Sequence, residues 1–521
     1  MILIANDEIE FNINLPKLNN LNKIQIFLII ILLLGVFLRL YDLSSPHTHL
    51  DEIVILTSAL KFQHQSYEAG NLFSPEHPPI AKLLMGLPTL LIDADYTSLT
   101  YLSNSMYVYM FTIFDIIART YTSVRLMSAL FGIFSILLCF LITKKLFGLD
   151  AALWSSLLMS TSFDLLLYSR LIFMDIFMVT FTLLTIYLYI LYINQKNENN
   201  KALLLILFTL SMILTLGSRS FQPILLIPIF TITHLLIVKW DIKEKLEIPL
   251  ACIIAFVISY LFLYGSDQFL YSVGIFDAIG TQTSGLFQMN ILLTTASLVL
   301  RNSYIFAFSV LAICYTLITK PKTIKRYVSE NNNSYILIIF FIISYLTLSF
   351  TKYTIMRYTI FLFIPIYIIG GKIITNLNKN RIISILTIII LLVSLTYNFL
   401  EFPYDTTYTN FNIGGFETLN NIEFEASEKA IIYLSEKNYD FIISNSVDIL
   451  ISDEIKNKIP LMISQSENCQ PEIYTAYSSG NNTIVYFGYD IKNDPYICEH
   501  IRTSELKELK SYNNILTIYS Y

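Results

Sequence analysis

Apolar stretches of about 20 residues, long enough to cross a bilayer, begin near Ile24, Val124, Ala151, Leu171, Ala202, Phe221, Ile248, Ser303, Tyr335, Thr359 and Ile382. The pattern predicts about eleven transmembrane helices. Shorter stretches at 80–92, 101–117 and 268–300 mix apolar and polar positions and are expected to lie in the membrane interface. After residue 400 the pattern changes: no spanning run follows, and Asn, Ser, Glu and Lys become frequent. Helical periodicity over 427–438, strand-like runs at 440–444 and 483–487, and a Gly480-Asn481 turn predict a small α/β domain there.

Composition supports this reading and excludes others. The 521 residues are 55% hydrophobic and 14% charged, against about 25% charged in an average soluble protein. The formal net charge is -5, with the basic residues in short clusters between apolar runs, so nucleic acid is not an expected partner. The clusters report topology instead. Lys17 and Lys23, Lys144 and Lys145, Lys196 and Lys201, Lys239 to Lys245, Lys320 to Arg326, and Lys372 to Arg381 fall in alternate loops, which the positive-inside rule puts in the cytoplasm. Residues 1–23 are then a cytoplasmic N-terminus, and 24–400 a transmembrane domain with an external loop at 42–123. Residues 401–521 become an extracytoplasmic domain. The polar start followed by a full-length apolar run suggests a signal anchor rather than a cleaved leader.

Cys139, Cys252 and Cys314 lie in apolar runs and read as small buried hydrophobes. Cys469 and Cys498 lie in the polar tail; paired in an oxidising exterior they would close a loop of about 30 residues, worth roughly 3–4 kcal/mol. Two separate thiols are the other reading.

Against this topology, several ionisable groups fall on the external side. Asp51-Glu52 opens the external loop, which continues through Glu76-His77-Pro78-Pro79-Ile80-Ala81-Lys82. A carboxylate partly withdrawn from water suits a general base that takes a proton from an attacking hydroxyl, and its neighbour suits a positioning role. The same pair would also serve as acidic residues at the start of a helix running through Leu56 and Leu60. His47, His49, Asp51, Glu52, Glu76 and His77 include ligand types for a divalent metal; alternatively His77 orients the loop, with Lys82 about one turn into the next helix. Lys61, Lys82, Arg119, Arg125, Arg170, Arg219, Arg301, Lys352 and Arg357 are the external cations before the tail. An anionic lipid phosphate at headgroup level would need such cations; snorkelling from helix ends is the simpler account of any one of them. Lys352 to Tyr358, with two cations and two phenols, is the strongest lipid-phosphate segment.

These segments, taken in order, resemble the GT-C class of polyprenyl-phosphate-sugar-dependent glycosyltransferases, specifically the protein O-mannosyltransferase group, glycosyltransferase family 39, with its aminoarabinose-transferase relatives. The matching residues are Asp51-Glu52, His77 to Lys82, Val124-Arg125-Leu126, Ser169-Arg170-Leu171 with Asp175, and Arg357-Tyr358 with Pro365. The resemblance implies a GT-C fold in a plasma membrane with an extracytoplasmic active site. It also implies inverting transfer of a sugar, mannose as first choice, from a polyprenyl-phosphate donor to a hydroxyl of a protein, glycan or lipid acceptor. It casts Asp51 as base, Glu52 as acceptor-positioning and Arg125 as a phosphate contact, and it matches Glu76-His77 to the place where aminoarabinose-transferase relatives hold a metal ligand. Arg170, Arg219, Lys352, Arg357 and Tyr358 are further donor-phosphate candidates by their charge or phenol and predicted side. Asp175 is read as structural, paired with an arginine inside the bundle. Two departures stand out. The 265–302 loop is too short for the β-trefoil insertion of eukaryotic members, and Arg219 stands where many relatives carry lysine. Trp154 and Trp240 are the only tryptophans and lie apart, which argues against an oligosaccharyltransferase. A transporter is the rival from another class, but it would gather its ionisable residues near the bilayer midplane.

Overall fold

A computed structural model describes residues 23–41, 43, 50–66, 78–94, 96, 99, 114–219, 222–238, 242–263, 309–310, 312–313, 334–349, 356–377, 389 and the strands 441–444, 459–462, 484–489, 507–512 and 516–520. In chain order the helices are α1 (Lys23–Leu40), α2 (Leu50–His64), α3 (Pro79–Gly86), α4 (Phe114–Phe147), α5 (Leu149–Thr161), α6 (Phe163–Arg170), α7 (Asp175–Asn194), α8 (Glu198–Leu216), α9 (Leu226–Ile237), α10 (Ile242–Val257), α11 (Tyr335–Ser349) and α12 (Met356–Leu377). Among the described residues, 119–147, 175–194, 198–216 and 360–377 are helices long and apolar enough to cross a membrane, and 26–40, 79–91, 222–237 and 335–347 form shorter apolar helices. The predicted spans from Ser303 and Ile382 and the 268–300 stretch fall largely or wholly outside the described residues.

Several boundaries differ from the hydropathy reading for local reasons. The helix expected from Val124 begins at Phe114, because its first turns carry Arg119, Thr120 and Tyr121, which hydropathy does not register as membrane. The run from Ala151 divides into α5 and α6 at Ser162, whose φ of -66° and ψ of 122° leave the helical region. The run from Leu171 becomes helical only at Asp175, an acidic residue that favours a helix start.

The chain forms two units. The first comprises Met1–Tyr41, Pro75–Lys82 and Leu126–Phe399. Within it α7 packs on α8, α5 on α12 and α1 on α5. α7 is buried along most of its length. α8 presents the opposite of a soluble amphipathic helix: Leu203, Ile206, Leu207 and Leu210, an i, i+3, i+4, i+7 stripe, are exposed, whereas Ser211 and Thr215 are buried with Leu204, Phe208 and Met212. An exposed leucine stripe suits hydrocarbon contact. Small residues let α5 and α12 approach closely. Ser155 Oγ donates to Tyr367 O at 3.0 Å, and a Cβ on Gly371 would lie 2.1 Å from that hydroxyl and 2.7 Å from Ala151 O, so only glycine fits without moving a helix.

The second unit comprises Asp42–Ser74, Leu83–Arg125 and Leu400–Tyr521. It contains α2 and a five-stranded sheet of order β2-β1-β3-β5-β4, where β1 is Phe441–Ser444, β2 Ile459–Met462, β3 Ile484–Tyr489, β4 Lys507–Tyr512 and β5 Leu516–Ser520. β1 runs parallel to both β2 and β3, with Ile443 opposite Leu461 and Tyr486. β5 is antiparallel to β3 and β4, with an irregularity between Glu508 and Lys510. The runs predicted at 440–444 and 483–487 coincide with β1 and β3. The 427–438 helix, the Gly480-Asn481 turn, Cys469 and Cys498 lie outside the described residues.

Candidate active site

The second unit holds a buried ionic cluster at the start of α2. Asp51 and Glu52 occupy its second and third positions. The Glu52 side chain is fully buried and accepts a fork from Arg125: Nε donates to Oε1 at 3.1 Å and Nη2 to Oε2 at 2.8 Å. The Tyr121 hydroxyl donates to Oε2 at 2.8 Å and also contacts Arg125 Nη2. Arg125 Nη1 donates to Leu43 O at 3.2 Å, and its guanidinium carbon lies 4.2 Å from the Tyr121 ring centroid. Tyr121 and Arg125, four apart on α4, share one helix face. Glu52 therefore engages α4. Breaking such a pair costs about 3–5 kcal/mol, because the surviving charge stays buried.

The far end of α2 is fastened separately. Lys61 Nζ donates to Leu99 O at 3.4 Å and Gln63 Nε2 to Leu83 O at 2.7 Å. His64 stacks on Tyr96 with ring centroids 3.5 Å apart, and its Nε2 lies 2.9 Å from Thr89 Oγ1. The Thr89 hydroxyl proton is committed to Gly86 O at 2.6 Å, so His64 Nε2 is the donor, which assigns the neutral Nε2–H tautomer. The Tyr96 hydroxyl donates to Thr89 O and Ile92 O. Burial lowers the His64 pKa from 6.5, and burial together with Asp93 raises that of Tyr96.

That shift has a defined pH consequence. With the folded-state pKa below the unfolded one, the unfolded chain takes up the proton first as pH falls below 6.5. The His64 contribution is complete above that value and declines as pH falls toward the folded pKa. Thermal midpoints in detergent are expected to drop between pH 7.5 and 5.5, with His64→Gln showing the shallower profile. Parallel profiles would remove His64 as the source.

The first unit carries the remaining candidates. Asp175 opens α7, and its Oδ2 accepts from Arg219 Nη1 at 3.1 Å, with both side chains buried. The expected intrabundle partner of Asp175 is thus Arg219. Asp175 Oδ1 is buried with no hydrogen-bond partner among the described residues. Arg170, the last residue of α6, and Lys82, inside α3, are both buried. Arg357 and Tyr358 stand at the second and third positions of α12. Their side chains and all of His47, His49, Glu76, His77 and Lys352 lie outside the described residues. Among the described residues, no group of three or more His, Cys, Asp or Glu side chains is placed to hold a metal ion.

Sequence reading overlooked Arg39. This fully buried guanidinium near the end of α1 donates to Gly35 O at 3.3 Å, Ser160 O at 3.2 Å and Met159 O at 3.5 Å. The last two carbonyls belong to the final turn of α5, so Arg39 caps that helix at its break. Gly132 makes room: a Cβ there would lie 2.9 Å from Arg39 Nε and 2.4 Å from Ser169 Cβ. The only signal in the sequence is a charge two residues from the end of an apolar run, which snorkelling explains equally well.

Comparison with known proteins shows a shared fold. The chain is similar to ArnT from Cupriavidus metallidurans, seen in crystal structures bound to undecaprenyl phosphate and in the apo state, with TM-scores of 0.58 and 0.59. In both cases identity is 9%, and the alignment covers 95% of this chain and 97% of that one. At that identity the likeness is one of fold. No curated protein sequence matches the chain. Residues 29–273, which contain Asp51, Glu52, Lys82, Arg125, Arg170, Asp175 and Arg219, match the family model for dolichyl-phosphate-mannose-protein mannosyltransferase. That match spans a little under half of the chain.

Proposed function

We propose that this enzyme transfers one sugar, mannose as first choice, from a dolichyl- or undecaprenyl-phosphate carrier to a hydroxyl of a protein or glycan, with inversion, outside the cytoplasm. The observation that carries this reading is the buried Glu52–Arg125–Tyr121 cluster, which fixes the first turn of α2 where Asp51 stands. Asp51 takes the proton of the attacking hydroxyl. The hydroxyl oxygen bonds to the anomeric carbon, the bond from that carbon to the phosphate oxygen breaks, and its electron pair leaves with the polyprenyl phosphate. Glu52 is acceptor-positioning through the geometry it imposes on this turn. The donor-phosphate roles belong to Arg125, Arg170, Arg219, Lys352, Arg357 and Tyr358, and the loop-positioning roles to His77 and Lys82.

The wider arrangement belongs to the same proposal: about eleven spans in a plasma membrane, a cytoplasmic N-terminus at 1–23, a membrane domain at 24–400 and an extracytoplasmic α/β domain at 401–521 with Cys469 and Cys498 paired. Transfer to a lipid acceptor is the second reading, favoured by the likeness to ArnT along nearly the whole chain.

The test is product formation by purified protein in liposomes, given radiolabelled dolichyl-phosphate mannose or undecaprenyl-phosphate aminoarabinose with a peptide, glycan or lipid A acceptor. Mannose in peptide or glycan with inverted anomeric configuration is the expected product. Labelled lipid A as the sole product would replace the first reading by the second, and retained configuration would overturn the single-displacement step. A parallel reaction with chelator tests the Glu76-His77 metal.

A further inference from the structure

We propose that Gly217 is a positioning residue: the turn after α8 grips the first turn of α3 and holds Lys82 on the same support as Arg219. This rests on the reading that Arg219 and Lys82 serve the transfer reaction. The grip joins two backbone groups that their own helices leave without partners. α3 begins at Pro79, which has no N–H, and the N–H of Ile80 is among the donors of a first helical turn that have no acceptor within the helix. Gly217 caps the C-terminus of α8, where carbonyls are left over in the same way. Ile80 N–H donates to Gly217 O at 2.9 Å. The partial positive end of one helix thereby meets the partial negative end of another.

The side of the turn facing α8 is fixed independently. Gly217 N–H donates to Ile213 O at 2.8 Å, and Ser218 Oγ donates to Thr215 O at 2.7 Å. Two residues beyond Gly217, Arg219 binds Asp175 at 3.1 Å. Two residues beyond Ile80, Lys82 is buried in α3. One main-chain hydrogen bond thus ties the short segment carrying Lys82 to the short segment carrying Arg219.

Space, not conformation, demands glycine at this point. Gly217 has φ -80° and ψ -1°, which any residue adopts. A Cβ there would stand 2.5 Å from Ile80 Cγ1, 3.3 Å from Ile80 Cβ and 3.1 Å from Ile213 O. Alanine must therefore push α3 away and lengthen the hydrogen bond. Trimming Ile80 to alanine removes the nearest of these contacts and lets the two segments close again.

The experiment is hydrogen exchange read by mass spectrometry on the full-length protein, with undecaprenyl phosphate as probe. In the wild type, the probe is expected to slow exchange of the α3 amides, because binding at Arg219 steadies the turn that grips them. Gly217→Ala is expected to speed basal exchange of the first α3 amides about tenfold and to abolish their response to the probe, while exchange in α7 stays unchanged. Gly217→Ala/Ile80→Ala is expected to regain both protection and response. Unchanged basal exchange in Gly217→Ala, or a loss spread over the whole bundle that Ile80→Ala does not repair, would overturn the proposal. Arg219→Ala separates the two readings. Undiminished probe affinity in that variant removes Arg219 from the donor site, whereas the basal exchange of Gly217→Ala still decides whether the grip exists.

Discussion

Asp51→Asn is expected to reduce sugar transfer by about 10²- to 10⁴-fold, the range that a positioned general base contributes. The replacement keeps the size of the side chain but cannot take up the proton that the attacking hydroxyl must lose. Carrier-lipid affinity should hold or rise slightly, since removing a negative charge cannot weaken binding of an anionic phosphate through Coulomb repulsion. The two effects are measured on one preparation, initial rates of labelled transfer beside binding of undecaprenyl phosphate. Wild-type turnover by Asp51→Asn would remove Asp51 as base. Loss of rate together with a collapsed thermal midpoint would make it a structural residue at the start of α2.

The second large effect concerns the buried pair beside it. Glu52→Gln and Arg125→Met should each destabilise the protein by about 3–5 kcal/mol, because each leaves an opposite charge buried without its partner. The double variant should be more stable than the sum of the singles implies, since it buries no net charge, and yet remain inactive. Glu52 and Arg125 share two hydrogen bonds, at 3.1 and 2.8 Å, so a coupling of roughly 0.5–3 kcal/mol is expected from a double-mutant cycle. Tyr121→Phe removes a donor to Glu52 Oε2 and should cost about 1–3 kcal/mol. Thermal midpoints in detergent give the cycle. Additive losses would mean that the two residues do not act as a unit.

Legibility in the sequence followed the range of the physics involved. An apolar run is local, so α1, α7, α8, α11 and α12 were anticipated to within a few residues. Breaks were less visible: Ser162 divides α5 from α6 without a proline or glycine to announce it. Ionisable residues stood out because charge within an apolar run is costly, which singled out Asp51, Glu52, Arg125, Arg170 and Arg219 from the sequence alone. Arg39 escaped because a charge at a helix end has a cheap alternative in snorkelling, and only its packing shows that it takes carbonyls of α5 instead.

The sequence by itself therefore determined that this is a helical membrane protein with carboxylates and cations concentrated in particular segments, since hydropathy and charge are properties of each short stretch. Only the tertiary structure decided which charge meets which. Glu52 takes Arg125 across 73 residues, Asp175 takes Arg219 across 44, and Arg39 reaches Ser160 across 121. The Arg39 contact depends on how closely helices approach, which the clearance at Gly132 sets in three dimensions. The Asp51-Glu52 dipeptide shows both halves. Its acidity was plain in the chain, but that Glu52 meets Arg125 of another helix is seen only in three dimensions.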